Sequence, residues 1–96
     1  MYTIYVVFKC AEGKREEYVE KLSSEGLLSE IRSEKGCKKY DFYFSEKDST
    51  ELLLVEAWDS LQDQQVHIKA PHMARFFEIN KEYIVSSELC EYKVVK

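Results

Sequence analysis

Four β-rich stretches and two amphipathic helical regions follow one another in this 96-residue chain in the order strand, helix, strand, strand, helix, strand. That order predicts an α+β fold, a four-stranded antiparallel sheet with helices on one face. Two β-α-β crossovers with right-handed connections make it the ferredoxin-like β-α-β-β-α-β arrangement. The length suits one domain, 1–96, built on one core, and no repeat, linker or low-complexity stretch divides it.

The elements follow in order. Tyr2 to Cys10 alternates, with Ile4, Val6 and Phe8 on one face and Tyr5 and Val7 on the other. A turn at Ala11 to Lys14 leads into a helix over about Arg15 to Ser33, whose apolar stripe is Tyr18, Leu22, Leu28 and Ile31. Gly26 costs the middle of that helix roughly 1 kcal/mol relative to Ala, so a kink or break belongs there. Gly36 stands where a left-handed residue ends a helix.

Cys37 to Ser45 is the second strand, with Tyr40, Phe42 and Phe44 on one face and Lys39, Asp41 and Tyr43 on the other. Glu46 to Ser49 has turn composition, and Thr50 to Trp58 returns antiparallel. Its apolar run LLLV reads as a strand buried on both faces. Asp59 or Ser60 offers an N-cap for a helix over Leu61 to Ala70. Pro71 suits the first turn of the next helix, whose apolar side is Met73, Phe76, Phe77 and Ile79, and the last strand spans Ser86 to Val95.

Composition narrows the partners. The formal charge is -4 with both signs interspersed, so the basic stripe of a nucleic-acid binder is missing. No apolar run approaches the roughly 18 residues of a membrane span, and the strand-like start lacks the pattern of a signal peptide, which points to the cytoplasm. Cys10, Cys37 and Cys90 are odd in number and far apart, as neither a disulfide framework nor a zinc site would be. Seven Tyr, five Phe and one Trp are many for one helical layer over one sheet to hide, so they should line a pocket or a subunit interface. The first and third strands carry large apolar residues on both faces, whereas helices cover only one. A homodimer with its two sheets face to face about a two-fold axis resolves this.

Three segments fit one family pattern. Gly36-Cys37-Lys38-Lys39-Tyr40-Asp41 opens the second strand, Glu56-Ala57-Trp58-Asp59 ends the third, and His67-Ile68-Lys69-Ala70-Pro71-His72 with Phe76 spans the second helical region. Together they resemble the antibiotic biosynthesis monooxygenase (ABM) domain family over about residues 1–95. The resemblance implies a small dimeric α+β barrel. It also implies one of several activities: oxygenation of quinols or polyphenols without metal or flavin, haem degradation, or isomerisation of an autoinducer-2 derivative. The first strand lacks the Asn of the haem-degrading branch, the position of that branch's Trp is His67, and its axial His falls at or near Phe77, which argues against haem. The autoinducer branch has a His in its first helix where this chain reads Glu25-Gly26-Leu27, which weakens that branch too.

Cofactor-independent oxygenation needs a base of near-neutral pKa, an apolar slot for a flat ring, and a donor to developing oxygen anion. His67 and His72 are the only side chains whose ordinary pKa suits the base. Glu56 shares a face with Leu52, Leu54 and Trp58, so it needs a partner or a raised pKa. The expected catalytic set is therefore His72, His67 and Glu56, with Trp58, Tyr40, Phe42, Phe76 and Phe77 around a small aromatic or quinol-like ligand. Against it stand plainer roles: a helix cap or filled polar gap for each His, a buried hydrogen bond for Glu56, and core packing for the aromatics. No cofactor is expected, and no metal, because two histidines five apart have no matching Cys or carboxylate cluster in the sequence. The working reading is a monooxygenase, the alternatives a non-catalytic small-molecule-binding dimer or an isomerase of an autoinducer-2-like signal.

Overall fold

The computed structural model describes residues 1–91. Its elements are β1 (Tyr2–Cys10), α1 (Arg15–Ser24), α2 (Leu27–Arg32), β2 (Cys37–Phe44), β3 (Glu51–Trp58), α3 (Leu61–Ile68), α4 (Met73–Tyr83) and β4 (Ile84–Glu91). The four strands form one antiparallel sheet in the order β2-β3-β1-β4, the ferredoxin-like topology that the element order predicts.

Local chemistry places most boundaries. Gly26 adopts φ +77°, and this left-handed residue divides the expected single helix into α1 and α2. Ser60 caps α3 by accepting a hydrogen bond from the Asp63 amide at 3.1 Å. Pro71 falls in the turn ahead of α4 rather than within its first turn, and α3 stops at Ile68, two residues short of expectation. β4 starts at Ile84, two residues early, and its expected end at Val95 lies outside the described residues. The β2–β3 hairpin is held by Arg15, whose Nη1 donates to the carbonyls of Ser45, Asp48 and Glu51 while its guanidinium covers the Phe44 ring.

The core lies between the helices and one face of the sheet. Val6 and Phe8 of β1 and Leu52, Leu54 and Trp58 of β3 cluster with Tyr18, Leu22, Ile31, Phe76 and Ile79 from the helices, and Ile4 is buried on the same face of β1. Along β3, Leu52, Leu54, Glu56 and Trp58 are buried beneath the helices, while on the other face Ala57 is buried and Leu53 and Val55 are half-buried in the single chain. Half of the described aromatic residues turn inward. Phe8, Tyr18, Tyr40, Trp58, Phe76 and Tyr83 are buried, and rings of Phe8, Tyr18, Phe42 and Tyr83 meet at centroid distances of 5.9–6.4 Å. The open face keeps Tyr5, Val7, Leu53 and Val55 half-buried and Tyr43 exposed. Cys10, Cys37 and Cys90 are all free thiols.

Candidate functional site

Glu56 sits on the inner face of β3, paired with Ile4 on one side and Tyr40 on the other. Two residues on, Trp58 points to the same face, so its indole Nε1 donates to Glu56 Oε1 at 3.0 Å. That single bond does not offset desolvation. Burial, helped by the charge of Glu34, raises the Glu56 carboxyl to about 7, so it is part protonated near neutrality.

His67 occupies the last turn of α3 and is 2% exposed. Its ring lies over Trp58 at 4.6 Å between centroids, tilted by 30°, and meets Tyr40 edge-on at 5.5 Å. Its Nδ1 is 2.8 Å from Glu34 Oε2, and the same oxygen is 2.9 Å from His72 Nε2. A carboxylate oxygen only accepts, so both imidazoles donate to it. His67 then carries its proton on Nδ1 and has Nε2 as an acceptor. Burial lowers the His67 pKa, opposed by the bond to Glu34.

Glu34 reaches this position because of Gly36. That residue has φ +81°, and a Cβ there would lie 2.3 Å from Asp63 Oδ2. Only a glycine lets the turn after α2 run so close to the first turn of α3. The Asp59 amide closes the junction by donating to the Gly36 carbonyl at 2.8 Å.

Tyr40, Glu56, Gln64, His67, Phe76 and Phe77 line a cleft of about 270 Å³, completed by apolar groups such as Val6, Leu54, Ile68, Met73 and Leu89. The structure therefore brings Glu56, His67, Tyr40, Phe76 and Phe77 to one cavity. Trp58 lies beneath it as the support of both His67 and Glu56. His72 is on the far side of Glu34, its side chain 15% exposed, and does not line the cleft. Phe42 packs against Tyr18 and Phe8 in the core. Glu34 is the residue that sequence reasoning missed. The expectation that the histidines lack a carboxylate partner is corrected, since Glu34 meets both across 33 and 38 residues of chain. No local pattern marks it among the other glutamates, beyond its place two residues before the left-handed Gly36.

The sequence profile of the antibiotic biosynthesis monooxygenase family matches residues 1–79. The chain belongs to the ABM family. It is 27% identical over 89 residues to the uncharacterized protein sll1783 of Synechocystis sp., covering 92% of this chain and 59% of that protein, so the chain spans about three fifths of that relative. Among solved structures, it is similar to PA3566 from Pseudomonas aeruginosa, with TM-score 0.83, 22% identity and coverage of 99% and 94% of the two chains. A candidate antibiotic biosynthesis monooxygenase from Nitrosomonas europaea aligns over 100% of both chains with TM-score 0.84 and 20% identity. At those identities the structural likeness speaks for the ABM fold alone.

Proposed function

We propose that this ABM-family chain is a cofactor-independent monooxygenase acting on a small quinol or polyphenol. The observation that carries the reading is that His67, backed by Glu34, and the part-protonated Glu56 meet in one apolar-walled cleft. A flat phenol would lie against Phe76 and Phe77, and His67 Nε2 would take its hydroxyl proton while Glu34 accepts from Nδ1. The ring anion passes an electron to O2, and coupling of the two radicals places a peroxide on a ring carbon. Loss of water from that peroxide leaves a carbonyl, so the substrate supplies every electron and O2 ends as one product oxygen and one water. The protonated Glu56 donates a hydrogen bond to oxygen anion as it develops.

The protein acts in this reading as a homodimer with the open sheet faces together. The half-buried Tyr5, Val7, Leu53 and Val55 support this, as does a groove of about 220 Å³ on that face bounded by Val7, Tyr43, Phe44 and Leu53. No helix among the described residues is long and apolar enough to cross a membrane.

The test is O2 uptake with a panel of substituted hydroquinones. His67→Ala should lower turnover by about a hundredfold or more, whereas Phe42→Leu, outside the cleft, should change it little. If the wild-type protein consumes no O2 above autoxidation, the monooxygenase reading is refuted. Quenching of Trp58 fluorescence by the same compounds without turnover would instead identify a binding protein.

A further inference from the structure

We propose that Glu34, His67 and His72 form a binding site for a divalent transition-metal ion of the zinc class, and that the metal switches off the His67 base. The three donor atoms, Glu34 Oε2, His67 Nδ1 and His72 Nε2, all lie within 4.8 Å of one another. They come from three separate segments: the turn after α2, the last turn of α3 and the loop ahead of α4. A tetrahedral ion bound at about 2.0–2.2 Å keeps its ligands roughly 3.4 Å apart. The two N···O distances of 2.8 and 2.9 Å would open by about half an ångström, and the two imidazole nitrogens, within 4.8 Å of each other, would draw in toward the same spacing. Rotation of the part-exposed Glu34 and His72 side chains about the fixed His67 ring would supply that.

The donor set selects the ion. Two imidazoles with one carboxylate suit zinc, cobalt or nickel, whereas magnesium and calcium prefer oxygen throughout. The approach is open as well. Glu34 and His72 are 14% and 15% exposed at their side chains, and a surface depression of about 390 Å³ bounded by Glu34, Lys35, Gln62, Asp63 and Val66 reaches the carboxylate. Water from that side would complete the coordination. Glu30 lies 3.5 Å from the other ring nitrogen of His72, so it can orient that ring without ligating.

The consequence for the cleft rests on the monooxygenase reading above. An imidazole that binds metal through Nδ1 keeps its proton on Nε2. The nitrogen available to a ligand in the cleft then changes from acceptor to donor and can no longer take a proton. Metal binding and the hydrogen-bonded Glu34–His67 pair exclude one another.

The metal site is tested without substrate. Co2+ titrated into the purified 96-residue chain should produce visible d–d bands saturating at one ion per chain. Zn2+ should displace the Co2+ and raise the thermal midpoint. Glu34→Gln and His72→Gln should each weaken binding by about tenfold or more, and Glu30→Gln by clearly less. Circular dichroism confirms that the variants remain folded. The proposal is overturned if folded wild-type protein shows no d–d bands in excess Co2+, or if neither Glu34→Gln nor His72→Gln weakens binding. A chain that binds metal but consumes no O2 would leave this site standing and remove only the reading of the cleft.

Discussion

Replacing Glu56 with Gln isolates the most unusual electrostatic feature of the chain. Moving a buried carboxyl from its ordinary 4.5 to about 7 is worth about 3 kcal/mol, at ~1.4 kcal/mol per tenfold change in proton affinity. The sign follows from which state holds the proton. Between pH 4.5 and 7 the folded chain keeps a proton on Glu56 that the unfolded chain has released, so rising pH removes stability across that window and the full cost is present above it. His67 works in the opposite direction. Its lowered pKa means that the unfolded chain takes up a proton first as pH falls below the ordinary 6.5, so stability falls toward acid. The two trends partly cancel in the wild type and hide each other.

The Gln variant separates them. It keeps the shape and an acceptor oxygen for the Trp58 indole but cannot ionise. Urea unfolding followed by far-ultraviolet circular dichroism, at fixed protein concentration from pH 4 to 8.5, gives the difference in stability between variant and wild type. That difference should move in favour of Glu56→Gln by about 3 kcal/mol as pH rises through the window, while the His67 contribution cancels. A difference that stays flat from pH 4 to 8.5 would falsify the claim that burial raises the Glu56 carboxyl. The Glu56 donor role in the proposed oxygenation would fall with it.

Two further outcomes test the frame around the cleft. Gly36→Ala forces a Cβ onto a backbone at φ +81° and into the Asp63 carboxylate, so it should cost at least ~1–2 kcal/mol and lower the thermal midpoint, while Gly13→Ala, left-handed but with open space around it, should cost less. Equal costs at the two positions would mean that the close approach of α3 is not what requires Gly36. Val55→Lys, on the open sheet face, should convert a dimer to a monomer in light scattering at micromolar concentration, and a monomeric wild type would sink the face-to-face assembly.

Much of this protein was decided within short stretches of sequence. Alternation in Tyr2–Cys10 and Glu51–Trp58 determined which side chains turn inward, including Glu56 beside Leu52, Leu54 and Trp58, because adjacent residues of a strand must face opposite ways. The Asp59-Ser60 pair announced a helix start, which Ser60 makes through chemistry that acts over three residues, whereas Gly36 is left-handed as expected but in the turn into β2, after α2 has already ended at Arg32 with Ser33 as its cap. The antiparallel topology followed from element order and the handedness of crossovers. Only the tertiary structure decided which polar groups meet. Glu34 read as one more charge in a helix-stopping turn, and its partners lie 33 and 38 residues away. His72, next to a proline and in a promising motif, turned to the outer side of that carboxylate, while His67 took the cleft side. A strand's facing is dictated by its neighbours in sequence. The meeting of Glu34 with two histidines depends on how a left-handed turn aims one segment at another across the fold, and no local pattern encodes that direction.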